Sequence, residues 1–244
     1  MNDLARRLRE LHQQPPLVLP NAWDAGSARA IEAGGAQAIA TTSAGVAWAH
    51  GVDDAGGLDR AAAVAAVRAI CAAVSVPVTA DVEAGYGDVA RTVREIVEAG
   101  AVGVNLEDST ARVLDDPEVH AERIRAARAA GGAELVINAR TDTYLYGDRT
   151  GTIERAKVYA DAGADVLFVP GLVELSTIAD LVKQSTLPLN VMVGPGAPSV
   201  RELAEVGVVR ISVGPALTSA AYALATAAAR ELLTTGTYEQ LTNH

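Results

Sequence analysis

The sequence predicts a (β/α)8 TIM barrel formed by one domain over residues 1–244. Two observations carry this prediction. A helix-ending Ala-Gly or similar pair, followed by a short β-branched run, recurs at spacings of about 30 residues or a multiple of that, as in VEAGAVGVNLEDS and DAGADVLFVPGL. Eight such strand–helix units fit a chain of 244 residues, which is a usual length for this barrel.

The predicted strands are short apolar runs without clean alternation, as expected for parallel strands that are buried on both faces. They cover residues 17–24, 38–43, 76–85, 103–108, 135–142, 166–172, 187–195 and 208–214. Helices are predicted at 25–33, 59–74, 88–99, 117–130, 151–162, 174–184, 198–206 and 218–235, with an additional N-terminal helix at 3–13. A doubly wound open sheet is the alternative, but it usually has fewer repeats and a Gly-rich phosphate turn after its first strand.

Glycines and an aspartate mark the predicted helix ends. Five glycines stand where a helix needs a left-handed residue at its C-terminal cap: Gly34, Gly100, Gly131, Gly163 and Gly207. In the turn GYGD (85–88), Asp88 is predicted to be the N-cap of the next helix.

Composition limits the classes of function. A formal net charge of −10 argues against nucleic acid and anionic membrane surfaces as partners. No apolar run approaches the roughly 18 residues of a membrane span, and the first residues lack the apolar region of a signal peptide. The single cysteine, Cys71, excludes a disulfide within the chain and favours a reducing, cytoplasmic location, with the thiol buried in a helix.

Polar residues follow the predicted strands, where a TIM barrel carries its active site. They are Asn21, Asp24, Ser43, Asp81, Glu83, Asn105, Glu107, Asp108, Arg140, Asp142 and Asn190. Asp81 and Glu83 point to the same face of one strand, and Glu107 ends the next strand. Converging carboxylates repel each other unless a cation lies between them, and hard oxygen ligands favour Mg²⁺ over zinc. The alternative is that these acids cap loops or helices.

Arg140 is the one cation among these strand ends, and its fork can hold a substrate carboxylate. The alternative, a salt bridge to Asp142 or Glu107, is compatible with that role. Ser43 and the backbone N–H groups after it can form an oxyanion site. His50 and His120 are expected to be surface histidines in loops. The candidate proton donors are Tyr144, Tyr146 and His120.

Four motifs resemble the isocitrate lyase/phosphoenolpyruvate mutase superfamily, in the order and on the strands expected for it. ADVEAGYG (80–87) is similar to the family's metal signature, D-x-[DE]-x-G-[YF]-G. GVNLEDS (103–109) matches the segment with its metal-shell glutamate, and INARTD (137–142) the segment with its substrate arginine. TTSAGVAWAHGVDD (41–54) resembles its substrate loop and the aspartate downstream.

The resemblance implies a Mg²⁺ cofactor and a set of site residues. The implied metal residues are Asp54, Asp81, Glu83 and Glu107. The implied substrate-binding residues are Trp23, Ser43, Ala44, Gly45, Arg140 and Asn190. The implied catalytic residues are Ser43, Glu107 and Arg140. Asp81 is expected to bind the ion most directly, and the other three acids largely through water.

By this resemblance the chain is a Mg²⁺-dependent carbon–carbon lyase, with decarboxylation or hydrolysis as variants. Its substrate would be a small 2-oxo or 2-hydroxy acid that reacts through an enolate intermediate. The segment DSTARVLDDPEVHAERI (108–124) departs from the family. It contains neither the Lys-[Lys/Arg]-Cys-Gly-His stretch of the isocitrate and methylisocitrate lyases nor the Lys and Asn of the mutases and phosphonopyruvate hydrolases. Isocitrate or methylisocitrate lyase activity is therefore not expected.

Other functions stay open at this point. One is a mutase or hydrolase acting on the C–P bond of a phosphonate, and another is a non-catalytic barrel that binds a 2-oxo acid. A third is a phosphate-binding barrel that uses ISVGPAL (211–217). The resemblance also implies a homo-oligomer, a dimer or tetramer, in which TSAAYALATAAARELL (218–233) packs on a partner, although this segment could equally pack on its own barrel.

Overall fold

The computed structural model describes residues 3–54, 57–147 and 149–241. The strands in these ranges are β1 Leu17–Leu19, β2 Asn21–Ala22, β3 Ile39–Thr41, β4 Val78–Asp81, β5 Gly103–Glu107, β6 Ser109–Thr110, β7 Val113–Leu114, β8 Val136–Arg140, β9 Val166–Val169, β10 Leu189–Met192 and β11 Arg210–Ser212. Nine of them form one parallel sheet in the order β1-β11-β10-β9-β8-β5-β4-β3-β2, while β6 and β7 form a separate antiparallel hairpin.

The sheet closes through its first strand. β1 and β2 are consecutive pieces of that strand, interrupted at Pro20, which has no N–H to donate to a ladder. β1 pairs with β11 through Leu17 and Arg210, whereas β2 pairs with β3 through Asn21 and Ala40. The two outer strands of the sheet are therefore joined within one short stretch of chain, and the predicted barrel is confirmed.

Helices surround the barrel. They are α1 Asp3–His12, α2 Ala25–Ala33, α3 Ser43–Ala49, α4 Arg60–Ala73, α5 Val89–Glu98, α6 Pro117–Gly131, α7 Thr143–Tyr146, α8 Thr152–Asp161, α9 Leu175–Gln184, α10 Val200–Glu205 and α11 Ala216–Thr234. Two 3-10 helices cover Arg149–Gly151 and Glu239–Leu241. Two short helices, α3 and α7, were not predicted, and each begins just after a strand end. In the described ranges, no helix is both long and apolar enough to cross a membrane.

The helix ends refine the predicted caps. Asp88 caps α5 as predicted, because its side chain accepts from the N–H of Arg91. Three of the five predicted glycines have positive φ: Gly100, Gly163 and Gly207. At the other two ends the prediction was one residue early.

The two misplaced caps lie at Gly-Gly pairs. Gly35 (φ 94°) is left-handed instead of Gly34 (φ −71°). Gly132 (φ 75°) is left-handed instead of Gly131, which is the last residue of α6. Where two glycines follow each other, either can adopt the left-handed conformation, so the pattern alone leaves the position open.

Helix α1 packs at the amino end of the barrel. Its Leu8 is fully buried in an apolar cluster with Leu17 and Val136, at the starts of β1 and β8. Arg9 Nη1 lies 3.2 Å from Asp165 Oδ1, and Arg128 Nη2 lies 2.6 Å from Asp165 Oδ2. Apolar packing and ion pairs together close this end.

A layer of polar side chains fills the barrel above α1. Each of these residues lies two positions before the last inward-facing residue of its strand. Side chains two positions apart on a strand point to the same face, so these side chains also point into the barrel, one layer nearer its amino end. Asn105 Oδ1 accepts from Asn138 Nδ2 at 2.8 Å and from Arg210 Nη2 at 3.0 Å. Arg210 is fully buried, and within the described residues its Nε and Nη1 have no hydrogen-bond partner. Burial lowers the pKa of Arg210 to about 9.

Candidate active site

A cavity of about 350 Å³ lies at the carboxyl end of the barrel. It brings together most of the residues that the sequence predicted for a site. Those in its lining are Ser43, Ala44, Asp54, Asp81, Glu83, Glu107 and Arg140. Since they come from four separate strand ends and from the segment after α3, only the closed barrel assembles them.

Asp81 ends β4 and is held on one side only. Its Oδ2 accepts from the backbone N–H of Ser43 at 3.1 Å and from Ser43 Oγ at 2.8 Å. Its own N–H donates to Thr41 Oγ1 at 2.8 Å. Its Oδ1 is buried, and none of the described residues provides it with a hydrogen bond. A buried carboxylate oxygen without a partner is costly, so this atom is available to a cation.

Glu83 lies two residues beyond Asp81 in an unusual backbone conformation. Both Glu83 (φ 48°) and Tyr86 (φ 50°) are left-handed, which non-glycine residues adopt at a cost of about 1–2 kcal/mol. The Tyr86 hydroxyl donates to Glu83 Oε1 at 3.2 Å. Burial, together with the negative charge of Asp81, raises the pKa of Glu83 to about 7. Strain and uncompensated charge at one position are typical of functional sites.

Arg140 is bound by the protein's own acids. Its Nε and Nη2 donate to Asp142 at 2.6 and 3.2 Å, and its Nη1 lies 2.9 Å from Glu107 Oε2. Burial raises the pKa of Glu107 to about 8, and Arg140 opposes that rise. Despite its own burial, the carboxylates of Glu107 and Asp142 raise the pKa of Arg140. The salt-bridge alternative considered for Arg140 is thus present, and it keeps the guanidinium charged.

A buried network supports this arginine from behind. Asp108 Oδ1 accepts from the backbone N–H of Asp142 at 2.9 Å. Asp108 Oδ2 accepts from Arg155 at 2.9 Å and from the Tyr159 hydroxyl at 2.7 Å. Arg155 and Tyr159 could not be predicted as members of this network, because both lie on α8 and meet Asp108 only in the folded chain.

The donor set of the cavity fits a hard cation. All the candidate ligands are carboxylate oxygens, and the free Oδ1 of Asp81 lies among them. In the described parts of the chain, no three His, Cys, Asp or Glu side chains lie close enough to hold an ion together. The fit to a hard cation therefore depends on the chemistry of the lining alone, since carboxylate oxygens are the ligands that Mg²⁺ takes beside its waters.

Three residues predicted to bind substrate are not in the cavity lining. The Trp23 ring packs edge to face on Tyr222, with centroids 6.4 Å apart. A Cβ at Gly45 would lie 2.5 Å from Thr218 Oγ1, so α3 and α11 meet there. Asn190 is fully buried in the polar layer, and its Nδ2 donates to the carbonyl of Val191. These positions favour packing roles, and the substrate contacts of the three residues stay predictions.

Of the candidate proton donors, only Tyr146 lines the cavity. The prediction that His120 is a surface histidine was wrong. It lies in the first turn of α6, fully buried, with its ring 4.6 Å from the ring of Tyr159. Burial lowers the pKa of His120 to about 3. Tyr144 instead lies beneath the guanidinium of Arg149.

The cavity also contains residues that the sequence analysis did not single out. Phe168 on β9 lies 6.0 Å from the guanidinium carbon of Arg140. Its inward position could have been found from the strand period, since it aligns with Arg140 across β8 and β9. Arg112, in the segment after Glu107, also lines the cavity, and no motif in that segment marks it.

Comparison with known proteins gives consistent matches. A family model described as phosphoenolpyruvate phosphomutase matches residues 8–233. An uncharacterised protein of Mycobacterium tuberculosis (strain H37Rv) is 40% identical over 223 residues, covering 90% of this chain and 85% of the relative. The 2,3-dimethylmalate lyase of Eubacterium barkeri is 32% identical over 218 residues, covering 82% and 75%.

Solved structures share the fold. The crystal structure of a proposed lyase or mutase from Burkholderia cenocepacia J2315 has a TM-score of 0.93 at 40% identity, covering 98% of this chain and 92% of that one. A proposed phosphonomutase from the same organism has a TM-score of 0.90 at 42% identity, covering 95% and 100%.

Proposed function

The chain belongs to the phosphoenolpyruvate phosphomutase family, and from that premise we propose that it is a Mg²⁺-dependent carbon–carbon lyase. Its substrate is a small 2-oxo or 2-hydroxy acid, which reacts through an enolate intermediate. The similarity to 2,3-dimethylmalate lyase supports the reaction class. One observation carries the rest of the proposal. The buried Oδ1 of Asp81 receives no hydrogen bond from any residue that the structure describes, and it lies in the cavity that also contains the Arg140–Glu107 pair.

Asp81 would hold the ion directly, and Asp54, Glu83 and Glu107 would hold it largely through water. When bound, Mg²⁺ supplies a Lewis acid for the negative charge that develops on the substrate. The high pKa values of Glu83 and Glu107 support this assignment, because buried carboxyls near other carboxylates gain most from a positive neighbour.

Arg140 keeps donors available for a substrate. A guanidinium has five N–H groups, and the hydrogen bonds to Asp142 use one on Nε and one on Nη2, while Nη1 is ion-paired with Glu107. Both terminal nitrogens therefore keep an N–H that can bind a substrate carboxylate. The two acids meanwhile hold the guanidinium in place, which limits the entropy lost on binding.

Ser43 and Ala44 are proposed to form the opposite wall of the substrate site. Both line the cavity, and the Ser43 hydroxyl donates to Asp81. This hydroxyl therefore orients the Asp81 carboxylate, and its own oxygen can still accept a hydrogen bond from another donor. The next residue, Gly45, does not line the cavity, and its N–H donates to Thr42 Oγ1 at 3.4 Å at the N-terminus of α3.

Calorimetric titration of oxalate with and without Mg²⁺ tests the site, because oxalate resembles a planar enolate. We expect binding that requires Mg²⁺ and is lost in Asp81→Asn. Asp59→Asn is the matched control, since Asp59 is an exposed acid that caps α4. Equal binding without Mg²⁺, or in Asp81→Asn, would contradict the proposal.

A panel of 2-oxo and 2-hydroxy acids then tests turnover. Cleavage of one member with Mg²⁺ supports a lyase. Oxalate binding without turnover of any member would favour the non-catalytic barrel instead.

Phosphonate chemistry is the second candidate, favoured by the family match and by the likeness to the proposed phosphonomutase. Phosphonopyruvate incubated with the protein and Mg²⁺ and followed by ³¹P NMR tests it. A new phosphorus resonance would replace the lyase proposal, and an unchanged spectrum would eliminate this candidate.

We also propose a homo-oligomer, a dimer or tetramer, in which α11 contributes to the contact between subunits. Exposed apolar residues on α11 support this proposal, Leu233 being 85% exposed and Leu232 53% exposed. Light scattering measures the assembly, and a monomer at micromolar concentration would contradict it.

A further inference from the structure

Arg210 is a charged side chain inside the barrel that the proposed function does not use. It lies on β11 two positions before Ser212, which lines the cavity, so it points into the barrel one layer nearer the amino end. It is fully buried, and its Nη2 donates to Asn105 Oδ1 at 3.0 Å. Its Nε and Nη1 can only donate hydrogen bonds, and they have no acceptor among the residues that the structure describes.

The charge of Arg210 has no counterion in the described parts of the chain. Its one hydrogen-bond partner, Asn105, is neutral. Burial lowers the pKa of Arg210 to about 9, and no acid among these residues opposes that fall. The guanidinium therefore stays charged at neutral pH, and a buried charge without a counterion is strongly unfavourable.

The partly buried arginines show how this protein compensates such a charge elsewhere. Each of them pairs with an acid, at an N–O distance of 3.2 Å or less. They are Arg9, Arg60, Arg123, Arg128, Arg140 and Arg155. Arg210 is more deeply buried than any of these, and within the described ranges it is the exception. An anion from solution would give it the same kind of partner.

The amino end of the barrel offers a route to Arg210. A cavity of about 280 Å³ lies between α1 and the starts of several strands, and its lining includes His12 and Val209, the neighbour of Arg210 on β11. Burial is the main cause that lowers the pKa of His12, and the nearby charge of Arg210 is the second. This cavity therefore reaches close to the guanidinium.

A bridging water is the alternative partner. His12 Nδ1 lies 2.8 Å from the carbonyl oxygen of Leu8, so Nδ1 carries the proton and the buried Nε2 is an acceptor. Water between Arg210 and His12 Nε2 would satisfy both side chains. It would leave the positive charge uncompensated, however, so the burial of Arg210 favours an anion.

We propose that the barrel contains an internal site for a small monovalent anion such as chloride, bound by Nε and Nη1 of Arg210. One negative charge balances the guanidinium, and only a small ion suits a layer in which Asn138, Asn190 and Arg210 are all fully buried. The site is separate from the substrate cavity, because Asn105 lines that cavity and Arg210 does not. The anion stabilises the fold and takes no part in the reaction.

Thermal unfolding at different chloride concentrations tests the site. Sodium chloride is exchanged at constant ionic strength for the sodium salt of MES, a sulfonate too bulky for the barrel interior. For the wild type we expect Tm to rise by about 5 °C and then to reach a plateau as chloride increases, because a ligand that binds only the folded chain stabilises it by mass action. A Tm that does not depend on chloride would overturn the inference.

Two variants locate the effect. Arg210→Met removes the charge and leaves Asn105 Oδ1 with its hydrogen bond from Asn138. We expect its Tm to be the same in both salts and, without chloride, no lower than that of the wild type, because no unpaired charge is then buried. Arg60→Met is the matched control, since Arg60 is partly buried on α4 and pairs with Glu95, and it should keep the full chloride effect. A chloride effect of wild-type size in Arg210→Met would contradict the site.

Measurements on the wild type do not depend on how well Arg210→Met folds. Broadening of the ³⁵Cl NMR signal reports bound chloride, and anomalous scattering from crystals grown with bromide locates the ion. We expect broadening that persists with Mg²⁺ and oxalate present, and a bromide peak within hydrogen-bond distance of Arg210 Nε or Nη1. Displacement of chloride by oxalate, or bromide at Arg140 alone, would place the anion in the substrate cavity and overturn the inference. Water between Arg210 and His12, with no bromide there, would also overturn it.

Discussion

At the amino end of the barrel, Arg9 and Arg128 both pair with Asp165, and the same two arginines donate to the backbone carbonyls of Leu135 and Gly163. At the carboxyl end, acidic groups outnumber the basic groups that could pair with them. Among the described residues, four acids line the cavity, Arg140 is bound to acids, and the buried Oδ1 of Asp81 receives no hydrogen bond.

The difference separates stability from function within one fold. Paired charges and apolar packing at the amino end stabilise the barrel. Uncompensated carboxylates and left-handed non-glycine residues at the carboxyl end cost free energy of folding, and they persist where binding a ligand compensates for them. Substitutions at the carboxyl end should therefore lower activity without lowering stability. Substitutions at the amino end should lower stability without lowering activity.

The largest expected effect is on turnover at the carboxyl end. Asp81→Asn should lower kcat/KM for the best acid of the substrate panel by about 1000-fold, since a Lewis acid contributes several kcal/mol to the transition state. The free energy of unfolding, measured with urea in the absence of Mg²⁺, should not fall. A loss of stability that accounts for the lost activity would contradict the comparison.

Acidification should destabilise both ends, because each contains a buried neutral histidine. Burial lowers the pKa of His120 to about 3 and that of His12 to about 4, from 6.5 in both cases. The unfolded chain binds these protons first as the pH falls, so the stability present above pH 6.5 is lost progressively below it.

Between pH 7 and 4.5 we expect urea unfolding to report a loss of about 5 kcal/mol from these two histidines together. His120→Leu and His12→Gln should each reduce the loss, the first at the carboxyl end and the second on α1. The same loss in both variants as in the wild type would exclude the histidines as its source.

Asp165→Ala should lower the free energy of unfolding by about 2 kcal/mol, because it removes a partly buried acid that two arginines share. Oxalate binding should be unaffected, since Asp165 precedes β9 at the opposite end from the cavity. Thermal unfolding and calorimetry on the same preparation measure both quantities. Weakened oxalate binding with intact secondary structure would show that the ends are coupled.

The smallest expected effects concern the backbone. Ala111→Gly should raise the free energy of unfolding by about 0.5 kcal/mol, because glycine adopts a φ of 50° without strain. Gly35→Ala, at the amino end, should lower it by about 1 kcal/mol, since φ there is 94°. Urea unfolding resolves both changes, and a destabilised Ala111→Gly would mean that the hairpin turn is unstrained.

The features that could be predicted from the sequence are those whose cause lies in neighbouring residues. The strands and most of the helices follow from local patterns, and so does the convergence of Asp81, Glu83 and Glu107, because strand period and strand order place them together. The short helix α3 did not follow, since its seven residues, SAGVAWA, contain no charged face to give a helical period.

Other features depend on partners that are distant in the chain. His120 is buried because Tyr159 lies against it, and Arg210 lies under the cavity because Asn105 accepts its hydrogen bond from the other side of the barrel. The position of Arg112 depends on a turn that its own residue types disfavour. The strand period does place Arg210 on the inward face, but neither its partner, nor the burial of His120, nor the Arg112 turn follows from periodicity or local propensity.

The interrupted first strand determines when during folding the site can appear. Asn21 Oδ1 accepts from the N–H groups of Val213 and Gly214, across 192 and 193 residues of chain. Asn21 and Gly214 both line the cavity, so the seam of the barrel passes through it. Contacts between such distant segments form slowly, because closing the loop costs entropy before any contact stabilises it. In a refolding experiment, ligand binding should therefore return only with the last kinetic phase, after the helices have formed.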